Sequence, residues 1–482
     1  MKNIGLIIIV CSVFFSSCKM EKIMTVNEKI DTPAAWVQPA KSADTTNTAG
    51  IQWRAFYKDS LLRNIIAEAI TNNPDMEIAM QRVLRNRVEL VAQKNAIAPE
   101  IAATAGAGAV RFGEYTVDGV GNFDTNLSEN VDAARQIPDP VPDYLLGVQT
   151  TWEAGLWGRY KNRKAKAKAQ LLAGEEGRRW VQTMLVENVA NSYYRILAFD
   201  AEIKAIEQNI ELQTTAVEII RLQKEAGRVN ELGVKQFEAQ LLDFRAMLAT
   251  KKVELAEEEF RLNALLGRTQ GSIVRQSTFD ASNLPEMKGF STPSAILKNR
   301  MDVREVNYFK DAAAADMKIA EAGYLPDLRW TGFFGINSFN PDFFFNLPVS
   351  MAYTMIGSLA APVVNRNTIK RNYRQSVTDF NVAHLEYKKK LLTAIAEINT
   401  EIRRLEGFAE ITEVRGQQRE VMTQGVEISN ELFASGFASY VEVLLMQSNR
   451  LQAEIEYIEA LKNQYQSSIG LYKAMGGGAD GL

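Results

Sequence analysis

Very few side chains in this sequence could carry out a reaction. The single histidine, His384, stands beside Leu385 and Tyr387 in a helical pattern, so we interpret it as a packed or surface residue. There is no second histidine, and the only two cysteines, Cys11 and Cys18, lie in the first 18 residues, so His384 is not expected to complete a zinc site or a nucleophile–base pair. Carboxylates are numerous, but between 251 and 261 they share a helix with Lys and Arg, as solvated residues do. The sequence therefore argues against an enzyme and predicts no catalytic or metal site.

One residue, Cys18, is expected to be modified. It follows a lysine at position 2, an apolar run from Ile4 to Phe15 and the pair Ser16-Ser17. The run is too short to span a bilayer, and it has the charged start and small-residue end of a secretory signal. A cysteine directly after the small residues is similar to the lipidation motif of bacterial lipoproteins. We therefore expect residues 1–17 to be a signal peptide and Cys18 to carry S-diacylglycerol and N-palmitoyl groups; the alternative is a plain signal with an incidental cysteine.

The covalent lipid would be the only group attached to the chain, and we expect no cofactor. Lys19 follows Cys18, whereas an Asp there commonly keeps such lipoproteins of enteric bacteria at the inner membrane, so the outer membrane is the expected address. If Cys11 leaves with the signal and Cys18 is acylated, no thiol remains for a disulfide scaffold. The net charge of -3 and the pI near 5.7 provide no electrostatic reason to bind nucleic acid.

The proline positions show where long helices can form. All 13 prolines lie within residues 33–142 or 285–362. Because proline removes a backbone donor and clashes with the preceding turn, the two proline-free tracts can hold very long helices. We predict one at about 162–225 and another at about 367–433, each returning through a shorter helix and packing side by side as in coiled coils. The turns between long and short helices are expected at Gly227 and Gly436.

Between the long tracts, segments bounded by proline alternate apolar and polar residues. In the second of them one face carries Leu328, Trp330, Gly332, Phe334 and Ile336. We predict β-hairpins at about 102–153 and 327–361. Strands of roughly ten residues with an apolar and a polar face are typical of a transmembrane β-barrel around a wet lumen, although a soluble sheet over a core has the same alternation. Four strands cannot close a barrel, so a chain that spans the membrane must oligomerise.

The order of hairpin and long helices occurs twice. Asp75 and Pro99 match Asp302 and Pro326 at a common offset of 227 residues. A repeat of about two hundred residues is far longer than a solenoid unit, so we predict an internally duplicated domain. The expected divisions are a lipidated N-terminal tether at 18–60, a first structural repeat at 61–270, a linker at 271–295, a second structural repeat at 296–478 and a tail at 479–482.

Three motifs carry a resemblance to a known family. The first comprises Trp53, Phe56, Asp59 and Leu62, followed by Asn73-Pro74-Asp75. The second is the strand–helix junction, of which we single out Trp152, Leu156, Trp157, Gly158 and Arg159. The third is Leu471-Tyr472-Lys473-Ala474-Met475-Gly476-Gly477-Gly478. In this order, and with the duplication, they resemble the outer membrane efflux protein family, the TolC-like and OprM-like channels, and specifically its NodT-type lipoprotein branch.

The resemblance implies a mainly α fold with some β structure. Long coiled-coil helices would form a periplasmic α-barrel tunnel, and four transmembrane strands per chain would contribute to a trimeric 12-stranded β-barrel. The implied function is a passive exit duct in the outer membrane, lipid-anchored and spanning, with a long periplasmic portion. The implied partners are two further copies in a homotrimer, a periplasmic adaptor (membrane fusion protein), an inner-membrane transporter of the RND type, and outer-membrane lipid.

The resemblance also assigns the turns at Gly227 and Gly436 to the periplasmic tip of the channel. Some relatives narrow the closed tip with two acidic residues in Val-Asp-Val-Leu-Asp, where this chain has Val441-Glu442-Val443-Leu444-Leu445. We expect Glu442 to form a carboxylate ring and Leu445 an apolar ring in the gate. The alternative is that Glu442 is only a solvated helix residue.

The chain departs from the family pattern, and two other functions fit parts of it. Gly155 stands where the junction motif has Asp, and Met301 stands where the second repeat opens with Arg-Pro-Asp. A surface glycan-binding lipoprotein of a nutrient importer would also be helical and lipidated, but it would need scattered aromatic platforms and no duplication. A type I protein-secretion duct of the same fold stays open as well, because one family serves both kinds of cargo and the transporter selects it.

Overall fold

The computed structural model describes residues 25, 33, 36, 51–285, 292–362 and 367–478. They divide into two compact units. Among the described residues, the sheet unit comprises those of Asn86–Leu171 and Lys310–Ala383, together with Thr25. The helical unit comprises Asn27–Arg85, Leu172–Phe309 and His384–Leu482. Each compact unit contains residues from both sequence repeats, so the boundaries of the compact units differ from those of the repeats.

Apart from α1 and α4, which only the first repeat has, the helices and strands follow one another in the same order in both repeats. The first repeat contains α1 (Trp53–Phe56), α2 (Ser60–Asn72), α3 (Pro74–Asn95), β1 (Glu100–Val110), α4 (Val117–Asn126), β2 (Val141–Glu153), α5 (Arg159–Glu225) and α6 (Glu231–Leu265). The second contains α7 (Pro293–Asn299), α8 (Met301–Ala322), β3 (Asp327–Ser338), β4 (Met351–Ala360), α9 (Asn367–Ala434) and α10 (Tyr440–Ala474). The prediction of a mainly α fold with four strands is confirmed. Helix α4, inside the first hairpin loop, was not predicted.

The two long helices are nearly equal in length. Helices α5 and α9 contain 67 and 68 residues, and the return helices α6 and α10 contain 35 each. At about 1.5 Å per residue, each long helix extends on the order of 100 Å. Across the described part of the chain, no helix is both long enough and apolar enough to cross a membrane.

The four strands form one antiparallel sheet in the order β1-β2-β3-β4, in which β2 pairs with β3 and so joins the two repeats. Opposite residues share a face. Val148 lies opposite Phe334, and Phe334 lies opposite Tyr353. The large apolar residues of this face are exposed, and they include Leu146, Val148, Trp330, Phe334, Tyr353, Met355 and Leu359. The other face carries Gln149, Thr151, Thr331, Thr354 and Ser358.

The core of the helical unit begins earlier in the chain than predicted. Trp53 is 1% exposed, and the ring of Phe56 stacks on that of Tyr472 with centroids 3.9 Å apart. Asp59 caps α2 by accepting a hydrogen bond from the Leu61 backbone N–H at 2.8 Å. Its second carboxylate oxygen accepts one from the Tyr193 hydroxyl at 2.6 Å. Residues 53–59 therefore pack on the helical unit, and Trp36, which the sequence suggested as a packing anchor together with Trp53, is also buried.

The duplication is visible in the joint that opens each repeat. In the first repeat, the Asn73 side chain donates a hydrogen bond to the Leu265 carbonyl, near the end of α6, at 2.9 Å. In the second, the Arg300 guanidinium donates one to the Ala474 carbonyl, at the end of α10, at 2.9 Å. Helix ends leave carbonyls without intrahelical partners. In both repeats, the residue two positions before the matched aspartate, Asp75 or Asp302, bonds to the end of the return helix.

Candidate functional site

The first helix turn is closed by Gly227 and by ion pairs. Gly227 has φ +74°, and the backbone N–H of Arg228 bonds to the Gln223 carbonyl at 2.9 Å, the usual glycine-terminated end of a helix. Across the turn, Glu238 of α6 accepts hydrogen bonds from Lys235 at 2.8 Å and Arg221 at 2.6 Å. These bonds lower the pKa of Glu238 to about 2. The first turn is therefore fixed by charge as well as by backbone geometry.

The second turn has the same backbone but different side chains. Gly436 has φ +79°, and the Phe437 N–H bonds to the Leu432 carbonyl at 2.9 Å. Its exposed residues are mostly apolar: Leu432 (42%), Phe437 (84%), Val441 (48%) and Leu445 (59%). An exposed apolar cluster of this kind marks a surface for interaction.

The structure brings the two turns together. Val229, Val234 and Phe237 of the first turn belong to the same apolar cluster as Phe433, Tyr440 and Leu444 of the second. A Cβ atom on Gly233 would lie 3.3 Å from the Tyr440 ring. The turns of the two repeats therefore form one packed end of the helical unit, with the apolar cluster between them.

Glu442 has a role that the sequence analysis did not foresee. It is the third residue of α10, and its Oε2 accepts a hydrogen bond from the Ser439 backbone N–H at 2.6 Å. This is the reciprocal half of a capping box, which satisfies a backbone donor at the start of a helix. Leu445 lies one turn further along and is 59% exposed. Glu442 is therefore exposed and also caps the start of α10, so a substitution there alters the helix start as well as a surface charge.

At the other end of α5, the predicted junction residues tie the strands to the helix. The indole N–H of Trp152 donates to the Ile97 carbonyl before β1, and that of Trp157 donates to the Pro326 carbonyl before β3, both at 2.8 Å. Arg159, the first residue of α5, pairs with Glu153 at 2.6 Å and Asp327 at 3.2 Å. Leu156, by contrast, is 55% exposed.

Gly155 explains one departure from the family pattern. It has φ +55°, a conformation that residues with a Cβ adopt only at a cost. In addition, a Cβ at this position would lie 2.2 Å from the Tyr160 ring. Gly158 also has a positive φ of +74°, but the nearest atom to its Cβ would be 3.8 Å away in Asn162. Gly155 is therefore required by packing, whereas Gly158 is required only by backbone conformation.

With this geometry established, the comparisons with known proteins decide the family. The sequence model of a family described as "Outer membrane efflux protein" matches residues 65–268 and 292–477, which follow the two repeats. The chain belongs to the outer membrane efflux protein family. This efflux protein is located in the outer membrane and functions as an efflux channel. The family match therefore rules against the alternative of a glycan-binding lipoprotein.

Two curated relatives have similar length. The pyoverdine export outer membrane protein OpmQ of Pseudomonas aeruginosa is 24% identical over 447 residues, covering 92% of this chain and 91% of the relative. The cation efflux system protein CusC of Escherichia coli K12 is 24% identical over 444 residues, covering 91% and 90%. A solved structure of CusC superposes with a TM-score of 0.80 at 20% identity, covering 94% of this chain and all of that chain, and so shows the fold. A third relative, from Salmonella typhimurium, is described as the probable outer membrane lipoprotein SilC, at 22% identity over 88% of each chain.

The main feature that the sequence analysis missed is a buried ion network around Trp180 in the helical unit. Three cations, Arg300, Lys390 and Lys473, lie 5.4, 5.6 and 5.8 Å from the centroid of its ring. Arg300 bonds to Asp302 at 2.8 and 3.0 Å and also contacts Glu397. Burial alone would raise the pKa of Asp302, but the bonds and charges of Arg300 and Lys390 outweigh it and lower that pKa. The departure Arg300-Met301-Asp302 was the only signal in the sequence.

Two predicted elements lie wholly or partly outside the described residues. Cys18, the expected lipid site, is not among them. The linker predicted at 271–295 is described except for 286–291, and its first part is held by Arg275, which pairs with Asp200 of α5 and Glu259 of α6. The lipid on Cys18 therefore stays a prediction, and the described part of the linker is anchored on the helices.

Proposed function

We propose that three copies of this chain form the exit duct of a tripartite efflux system. The observation that carries the proposal is the four-stranded sheet, whose exposed apolar face suits lipid while β1 and β4 lie at its edges. Backbone groups at an open edge cannot be left unpaired in lipid. Three copies, each pairing β1 with β4 of the next, would supply twelve strands and leave no edge. The outward Trp330 and the junction Trp152 and Trp157 suit the aromatic girdle of such a barrel.

The proposed partners dock at the helix turns of the helical unit. A periplasmic adaptor would bind the packed end formed by the two helix turns, where the apolar side chains of Phe437, Val441 and Leu445 are exposed. An inner-membrane transporter of the RND type would supply the energy, and the duct itself would conduct passively. The lipid on Cys18 would anchor the N-terminus in the same membrane.

A first experiment measures conduction by the purified full-length protein in planar lipid bilayers. We expect discrete conductance steps, because a closed multi-strand barrel around polar residues such as Gln149 and Thr331 holds water. A glycan-binding lipoprotein would give none. Failure to observe steps from protein that is folded and inserted would contradict the duct.

We further propose that Glu442 and Leu445 narrow the duct at its tip. The variant that tests the gate must keep the capping bond of Glu442. Glu442→Ala would remove both the charge and the cap, and loss of a cap costs about 0.5–2 kcal/mol of stability. Glu442→Gln keeps an oxygen that can accept the Ser439 N–H bond and removes only the charge. We expect Glu442→Gln to raise the conductance or drug susceptibility and to weaken any preference for cations.

The matched control for the gate is Glu427→Gln, which removes one exposed carboxylate of α9. We expect this control to behave as the natural protein does. Unchanged conductance and susceptibility in Glu442→Gln would remove Glu442 from the gate and leave it with the capping role alone.

A further inference from the structure

The loop between β1 and β2, residues 111–140, has a defined fold of its own. It contains α4, whose first turn is capped by Thr116 through a bond from the Gly119 N–H at 3.1 Å. The Asn126 side chain clamps the returning arm by donating to the Ile137 carbonyl at 2.8 Å and accepting from the Ile137 N–H at 2.7 Å. The first loop is therefore an ordered surface at the end of the sheet where β1 ends and β2 begins.

The surface of the first loop exposes large apolar side chains among its charged ones. None of the residues of α4 is buried, and Tyr115, Val117, Phe123 and Leu127 are 99, 90, 67 and 68% exposed. Between α4 and the two arms of the loop is a groove of about 520 Å³. We call it the loop groove; its apolar lining includes Phe112, Tyr115, Val120, Phe123, Ile137 and Val141, and its polar lining is Glu114, Asn122, Asn126 and Asp139.

The loop between β3 and β4, residues 339–350, carries an apolar ridge of matching character. The ridge consists of Phe345, Leu347 and Val349, which are 75, 63 and 70% exposed. The preceding Phe344 contacts the Tyr144 ring of β2 edge-on at 6.4 Å, which fixes the loop on the sheet. The ridge thus projects from an anchored loop with its own side chains uncovered.

The loop groove and the apolar ridge lie at the same end of the strands, next to the opposite edge strands β1 and β4. β1 runs toward the loops and ends at Val110, whereas β4 starts from the loops at Met351. If β1 of one copy pairs antiparallel with β4 of the next, the residues after β1 and the residues before β4 must meet. We propose that the loop groove binds the apolar ridge of a second copy of this chain. This inference rests on the proposed closed oligomer and adds to it an interface outside the strands.

Charge favours a second copy over a lipid surface as the occupant. The first loop has six acidic residues and two basic ones, whereas residues 339–350 have one acid, Asp342, and no base. An anionic headgroup layer would be repelled by the first loop. Phe345, Leu347 and Val349 carry no charge, so the ridge adds no like charge to Glu114 and Asp139 in the groove lining, of which Asp139 lies 3.6 Å from Arg111. The groove and ridge would hold neighbouring copies together independently of the strand hydrogen bonds.

The test is a cysteine pair, Phe123→Cys with Leu347→Cys, in the full-length chain, whose native cysteines are Cys11 and Cys18 alone. Outer membranes are oxidised and the protein is denatured and run on a non-reducing gel. We expect covalent dimers and trimers from the double variant and monomers from each single variant. The control pair Glu129→Cys with Asp342→Cys, exposed polar positions on the same loops, is expected to give a much weaker ladder.

Light scattering of the same extracted sample separates the possible failures. The mass of a trimer in light scattering, with no cross-linked dimers or trimers on the gel, would overturn the interface between groove and ridge but not the duct. Monomers overturn both this interface and the proposed duct. A second variant, Leu347→Asp, alters a residue that is exposed in the single chain, so the chain itself should fold. We expect it to lower the temperature at which the oligomer dissociates, while Asn346→Asp leaves that temperature unchanged; equal temperatures for both would contradict the interface.

Discussion

Replacing Arg300 by Met should cost more stability than any single exposed substitution in the helical unit. Arg300 is 1% exposed and bonds to Asp302 through two nitrogens and to the Ala474 carbonyl at 2.9 Å. The substitution leaves Asp302, also 1% exposed, with Lys390 at 3.1 Å as its remaining cation. Removing one partner of a buried ion pair costs about 3–5 kcal/mol. Because Lys390 still compensates in part, we expect the lower end of that range.

The assay is thermal unfolding of the purified protein in detergent, followed by far-UV circular dichroism at one fixed scan rate. A loss of about 3 kcal/mol corresponds to a fall in the midpoint of about 5 °C for a unit of this size. The matched control is Arg403→Met, since Arg403 is 75% exposed and lies 3.7 Å from Glu406. An exposed pair contributes about 1 kcal/mol at most. Equal midpoints for the two variants would refute the argument from burial, and Arg300→Lys should fall between them.

Three further predictions concern the pKa of Asp302, the glycine at the strand–helix junction and the lipid site. The pKa of Asp302 is lowered in the folded state, so its stabilising contribution is present above its usual titration range and is lost as the pH falls through the lowered value. Natural protein should therefore lose more stability than Arg300→Met between about pH 6 and about pH 3, and parallel losses would contradict this. Gly155→Ala, which must adopt φ +55° and meet the Tyr160 ring, should reduce the amount of heat-resistant oligomer in membranes more than Gly158→Ala does, and equal amounts would remove the packing argument. Cys18→Ala should abolish incorporation of labelled palmitate, and labelled mutant protein would disprove the lipid site.

The long helices and the strands were predictable because each depends on a strong local rule. Proline excludes long helices from 33–142 and 285–362, so the ends of α5 and α9 lie within a few residues of the predicted ones. The alternation through Leu328, Trp330 and Phe334 requires a strand with two unlike faces, and β3 has them. Glycine at 227 and 436 is the usual way to end a helix.

The features that were not predicted depend on contacts between residues far apart in sequence. The network of Arg300 needs Trp180, Glu397 and Lys473 from three other helices, and no spacing in the sequence relates them. The fold of the first loop depends on the clamp between Asn126 and Ile137, two residues with no strong motif. The capping role of Glu442 was visible in Ser439-Tyr440-Val441-Glu442, which has the Ser-x-x-Glu signature.

Electron microscopy of the detergent-extracted protein tests the central claim most directly, because it reports oligomer symmetry and length together. The account predicts threefold end views and side views longer than about 100 Å, as the rise of a 67-residue helix requires. Compact monomeric particles would contradict the closed trimer and with it the duct.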